Sequence, residues 1–197
     1  MNASFVKQDE TVEYSGKRID VVHTGIVAPD GTRYTREIVR HPGAVVIVPV
    51  DSEGNVHLLR QYRAPIDTEL VEIPAGTMDV AGETPEDTAA RELREEMGFI
   101  GGKFDLLATV YNSPGFCTEK TYIFLATDLI QSDTAREGPE ERYMSVFSLP
   151  LGGAVRLCIE GEIHDAQTII GLMLADRKLA QEDGRGSVID ALEHMAD

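Results

Sequence analysis

Glu92, Glu95 and Glu96 carry the chemistry this chain offers. Glu92 and Glu96 are spaced by one helical turn, and Glu95 follows Glu92 by three residues, so on a helix the three carboxylates share one surface. Like charges at that spacing destabilise a bare helix by about a few tenths of a kcal/mol per pair. Such a surface is either a solvated acidic face or one side of a site that holds a cation. With no His or Cys among them, the carboxylates suit a hard divalent ion, magnesium or manganese.

The flanking residues supply the helix. Thr84 can cap it, Pro85 fits its first position, and Glu86 and Asp87 favour the positive end of the dipole. Gly98 provides a left-handed stop, so the spacing predicts a helix over residues 85–97. Ala89, Leu93 and Met97, with Ala90 beside them, form the apolar stripe expected to face the core. A glycine-bearing loop, residues 76–82, leads into it.

Gly76, Glu83, Arg91-Glu92-Leu93, Glu95-Glu96, Gly98 and Phe99 resemble the Nudix box, in which a glycine, a glutamate and Arg-Glu-aliphatic-x-Glu-Glu-x-Gly-aliphatic recur in fixed register. Two departures are visible. Six residues separate Gly76 from Glu83 where the family has five, and Phe99 stands where an aliphatic residue is usual. The extra residue falls in the loop, where insertion is tolerated, and leaves the helix register intact.

A length of 197 residues suffices for one sizeable domain with an added element, or for two small ones. The formal charge of −16 argues against a nucleic-acid backbone or an anionic membrane as partner, since both are themselves negative. A phosphorylated small substrate is compatible, because a few metal ions and arginines invert the field locally. The first ten residues carry charges and no apolar core, unlike a signal peptide, and no run approaches the ~20 apolar residues of a membrane span. Cys117 and Cys158 are too few for a disulfide framework or a zinc site, so the expected compartment is the cytoplasm.

Along the chain, residues 11–39 alternate in short pieces around Pro29-Asp30-Gly31 and read as three antiparallel strands, too poor in apolar residues to bury a core alone. Residues 43–50 form a near-continuous apolar run, a buried central strand, and the turn at 51–55 predicts a hairpin with the strand at 56–62. Arg63 ends that strand and either solubilises it or binds phosphate with its fork. Residues 104–111 and 121–127 read as strands joined by a loop in which Phe116 stacks on a base or covers the core. Residues 131–142 form a polar, acidic loop whose glutamates can swing toward the helix. A last strand at 143–149, a short helix at 151–160 and a longer one from His164-Asp165 to about residue 180 close the chain.

The expected architecture is α+β, and the resemblance implies the Nudix α/β/α sandwich with a mixed sheet over residues 43–182. An N-terminal antiparallel β segment, 1–42, precedes it and a tail, 183–197, follows. Pro114, fifteen residues past Phe99, and Glu72-Ile73-Pro74-Ala75-Gly76 are similar to features of bacterial ADP-ribose pyrophosphatases within that superfamily, whose N-terminal segment is exchanged across a homodimer.

The resemblance therefore implies hydrolysis of a nucleoside diphosphate sugar, foremost ADP-ribose to AMP and ribose 5-phosphate. UDP-glucose and GDP-mannose stand as alternatives, and a non-catalytic nucleotide-binding module as the rival class. By the same resemblance Glu92, Glu96 and the Ala75 carbonyl hold magnesium or manganese, with Glu95 as a further ligand. Arg91 pairs with a box carboxylate such as Glu83, and Glu140 or Glu141 supplies the base. Arg63 binds phosphate, Glu72 and Phe116 line the nucleoside or ribose, and Arg36 reaches over from a partner subunit.

Overall fold

The computed structural model describes residues 4–100, 102–134, 141–184 and 186–188. The chain divides into two compact units. The first runs to Ala44 and includes Val110–Thr121; the second holds Val45–Thr109 and the chain from Tyr122 onward.

In the first unit, β1 (Val6–Ser15), β2 (Asp20–Val27) and β3 (Arg33–Arg40) form an antiparallel sheet in that order. Strand β1 starts five residues earlier than the alternation suggested, because Val6 and Lys7 pair with Val27 and Ile26. Alternate residues of β2, Val22 and Thr24, are buried, whereas every residue of β1 is exposed. The segment Val110–Thr121 supplies partners this sheet lacks. Val39 donates its N–H to the Phe116 carbonyl at 2.7 Å, and Thr118 donates to the Val39 carbonyl at 2.9 Å.

After β3 the chain forms β4 (Ala44–Pro49), β5 (Asn55–Arg63), β6 (Thr68–Glu72), β7 (Ala75–Thr77) and α1 (Pro85–Glu92), which continues as a π-helical turn, Leu93–Met97. Then come β8 (Phe99–Ile100), β9 (Lys103–Tyr111), β10 (Lys120–Thr127), β11 (Ile130–Gln131), β12 (Ser145–Pro150), α2 (Leu151–Ile159) and α3 (Ala166–Glu182). The strands group as β7-β4-β10-β9, as β12-β5-β6 and as a two-stranded ribbon β11-β8. The architecture is α+β with a mixed sheet, as expected. Among the described residues no helix is long and apolar enough to cross a membrane.

The alternation of β4 sorts the layers, since successive side chains of a strand point to opposite faces. Val45 and Ile47 join Leu59, Phe124 and Ala126 in a core with Ala89, Leu93 and Met97 of the acidic helix. Val48 faces the other way: a Cβ added at Gly171 of α3 would lie 3.0 Å from Val48 Cγ2 and 2.9 Å from Ile73 Cδ1. Helices thus cover both sides of the sheet. Each fully buried aliphatic side chain stabilises this stack by roughly 1.5–3 kcal/mol.

Three sequence expectations are corrected. Strands β4 and β5 do not form a hairpin: after one antiparallel bridge, Val50 to Val56, they part into different sheets. The central strand already has β7 and β10 on its two edges, so no edge is left for β5. Ala90 is exposed and Thr88 takes the buried place, because the apolar stripe is narrower than three residues per turn. The helix over 85–97 is α only to Glu92.

Candidate active site

The acidic helix begins where its sequence dictates. Thr84 Oγ1 accepts the Asp87 N–H at 3.2 Å and Asp87 Oδ2 accepts the Thr84 N–H at 3.0 Å, a reciprocal capping box with Pro85 in the first turn. It ends at Gly98, whose φ of 71° is the left-handed conformation and whose N–H meets the Arg94 carbonyl at 3.0 Å. Between them, the π-helical turn carries Glu95 and Glu96; such turns are rare in helices and frequent at functional sites.

Arg91 organises the acidic side. Its Nε donates to Glu83 Oε1 at 3.1 Å, and its Nη1 donates to Glu92 Oε1 at 2.7 Å and Glu95 Oε2 at 3.1 Å. Burial works against the guanidinium charge, but the hydrogen bonds and fields of Glu83 and Glu92 outweigh it and hold the group charged beyond its ordinary range. Glu83 also accepts the Thr88 hydroxyl at 3.0 Å, which ties the loop to the helix from a second point. The box pattern passes over Thr88. Its signal is a hydroxyl one turn after the cap, within reach of the glutamate before it.

The other carboxylates lie against backbone. A Cβ built on Gly76 would fall 2.0 Å from Glu92 Cδ, so the bare glycine is what lets that carboxylate settle on the loop. Glu96 is 6% exposed and its Oε2 accepts the Ala75 N–H at 3.1 Å. Glu92 and Glu96 therefore bracket the Ala75-Gly76 backbone.

As placed, no three His, Cys, Asp or Glu side chains among the described residues are grouped closely enough to enclose an ion, and Arg91 is the cation shared by Glu92 and Glu95. The donor set nevertheless fits a hard divalent ion in kind. It offers only oxygen ligands, on a loop that glycine keeps clear of a side chain.

Arg63 ends β5 opposite Thr68, and its side chain reaches Glu72 at the far end of β6. Arg63 Nε donates to Glu72 Oε1 at 2.8 Å and Nη2 to Oε2, a fork closed on a carboxylate that is 3% exposed as a residue. The hydrogen bond to Glu72 is the main cause that raises the guanidinium pKa, and Asp165 and Glu96 add to it from further away. Arg36 and Phe116 belong to the first unit. Arg36 lies over the Tyr34 ring, 4.4 Å from its centroid, and lines an open concavity of about 540 Å³ with His23, Thr35 and Glu37. Phe116 is 58% exposed in its loop. Glu140 lies outside the described residues, and Glu141 opens a short 3₁₀ turn, Glu141–Tyr143.

The model of the NUDIX domain matches residues 39–189. The chain is 38% identical over 167 residues, 85% of its length and 90% of the relative's, to ADP-ribose pyrophosphatase of Bacillus subtilis (strain 168). It is 32% identical over 157 residues, 72% of its length and 81% of the relative's, to GDP-mannose pyrophosphatase of Enterobacter sp. (strain 638). A solved ADP compounds hydrolase superposes with a TM-score of 0.79 at 22% identity, over 92% of this chain and 97% of that one, a likeness of fold.

Proposed function

The chain belongs to the NUDIX family and is a Nudix pyrophosphohydrolase, and we propose that its substrate is ADP-ribose, split by water to AMP and ribose 5-phosphate. The observation that carries this reading is the placement of Glu92 and Glu96 on either side of the glycine-bared Ala75-Gly76 backbone. The likeness to the Bacillus subtilis enzyme supports ADP-ribose as substrate.

Glu92, Glu96 and the Ala75 carbonyl would hold magnesium, or manganese, with Glu95 as a further ligand. When bound, the ion neutralises the diphosphate oxygens and lowers the pKa of water. The residues around it fix the geometry. Arg91 clamps the loop through Glu83 and balances the charge of Glu92 and Glu95. Arg63, with Nε and Nη2 committed to Glu72, keeps Nη1 for a substrate phosphate. Glu72 and Phe116 would line the ribose and nucleoside, and Arg36 would reach the substrate from a partner subunit in a homodimer.

Glu140 or Glu141 would take the proton from the attacking water. One of Glu140→Gln and Glu141→Gln is expected to lower kcat by at least about a hundredfold, the lower range for general base catalysis, in a steady-state assay of AMP release. Loss of neither rate removes both residues from that role.

GDP-mannose is the second reading, favoured by the likeness to the Enterobacter enzyme. Incubation with ADP-ribose, GDP-mannose and UDP-glucose, with products separated by chromatography, decides between them. The reading predicts the highest kcat/KM for ADP-ribose, with AMP and ribose 5-phosphate as products. A higher kcat/KM for GDP-mannose overturns the substrate assignment, and no turnover of any of them overturns the reaction.

A further inference from the structure

Four consecutive residues before the glycine loop are each tied to a different element. The Glu72 carboxylate is held by Arg63 of β5. The Ile73 N–H donates to Thr168 Oγ1 of α3 at 3.0 Å. The Pro74 carbonyl accepts the Ile47 N–H of β4 at 2.9 Å, and the Ala75 N–H meets Glu96 of the π-helical turn. Three of these anchors come from strands or from a carboxylate already assigned to the site. The Thr168 hydroxyl is the fourth, and it belongs to none of them.

That hydroxyl is itself oriented. Thr168 is fully buried, and its O–H donates to Asp165 Oδ2 at 2.7 Å, the same oxygen that caps α3 by accepting the Thr168 N–H at 2.7 Å. With its hydrogen committed to Asp165, Oγ1 presents lone pairs to Ile73, whose N–H has no solvent to turn to because Ile73 is 1% exposed. Pro74 shortens the path from that anchor to Ala75: its ring fixes one of the dihedrals between them, and its carbonyl is held by the Ile47 N–H, so little freedom remains between the Ile73 amide and the Ala75 backbone.

We infer that Thr168, oriented by Asp165, is a positioning residue that aims the Ala75 backbone at the divalent ion held by Glu92 and Glu96. This rests on the metal-dependent reading above. The start of α3 thereby acts on the ion from outside the box, through Ile73 and Pro74. A merely structural hydroxyl would stabilise the fold and leave metal affinity alone.

Manganese binding by the purified full chain, read from the electron paramagnetic resonance signal of free Mn2+, separates the two. Thr168→Ser keeps the hydroxyl and should bind as the parent does. Thr168→Val leaves the Ile73 N–H buried and unpaired, which costs stability with or without the ion; by letting the Ala75 backbone shift, it should also weaken Mn2+ binding by roughly ten- to a hundredfold, the range for losing a group that orients a metal ligand. Asp165→Ala, at a half-buried position, removes the α3 cap and with it some stability, and should shift affinity the same way by a smaller factor. Parent-like Mn2+ affinity in folded Thr168→Val overturns the inference, whatever its melting temperature. If Thr168→Val does not fold, parent-like affinity in Asp165→Ala overturns it instead. Glu96→Gln in the same titration tests the underlying reading. Unchanged affinity there removes the metal site and the inference with it, whereas weakened affinity in Glu96→Gln beside parent-like Thr168→Val removes the inference alone.

Discussion

Position 76 is constrained by a neighbour. A Cβ there would occupy the space of the Glu92 carboxylate, and because that carboxylate is the end of a flexible side chain it would yield, leaving the loop intact and the ligand displaced. Gly76→Ala is thus expected to keep its melting temperature while kcat falls by about a hundredfold, the scale on which a displacement of about 1 Å costs rate. Thermal melts beside AMP-release kinetics check this; an active Gly76→Ala enzyme means that Glu92 need not sit where it does. The residue types at this scale were legible in the sequence, including Arg91 with Glu83. What the sequence did not carry was direction: α-helical spacing put three carboxylates on one surface, whereas Glu92 and Glu95 turn to Arg91 and Glu96 turns to the Ala75 N–H.

Among the elements, the start and stop of the acidic helix followed from Thr84, Pro85 and Gly98, which are local signals and need no tertiary context. The π-helical turn does not follow from them. It depends on how Leu93 and Met97 seat in the core while Glu96 reaches Ala75, and those are long-range contacts. The hairpin expected of β4 and β5 failed for the same reason, since the turn at Asp51 forms but the sheet partners are chosen by burial. Gly98→Ala tests the stop. A side chain there would meet both a φ of 71° and the Ser132 carbonyl, 2.7 Å from the added Cβ. The variant is expected to lose roughly 1–3 kcal/mol in urea unfolding; an unchanged midpoint would show that the turn relaxes without cost.

Across the whole molecule, the alternating strands and apolar runs were enough to read an α+β chain with a strand-rich start. The recruitment of Val110–Thr121 to the first unit was not readable, because its hydrogen bonds to Val39 are backbone bonds that any side chain permits, and the Thr118 hydroxyl, which accepts the His41 N–H at 3.0 Å, belongs to no local pattern. Strand β1 is exposed along its length, with Val12 58% and Tyr14 59% exposed, which supports the proposed homodimer. Light scattering on the parent is expected to give the mass of two chains, and Val12→Lys to shift it toward one. A monomeric parent removes the partner's Arg36 from the site.

A metal-dependent reaction at this site requires above all a carboxylate charge at position 96. Glutamine there can still accept the Ala75 N–H, so Glu96→Gln should fold as the parent does while losing only the charge. The deciding measurement is ADP-ribose turnover against magnesium concentration for the parent and Glu96→Gln. The parent should be inactive in chelator and recover with magnesium, and the variant should stay at least about a hundredfold slower at every concentration. Turnover in the parent that ignores magnesium, or a variant that matches it, would contradict the assignment.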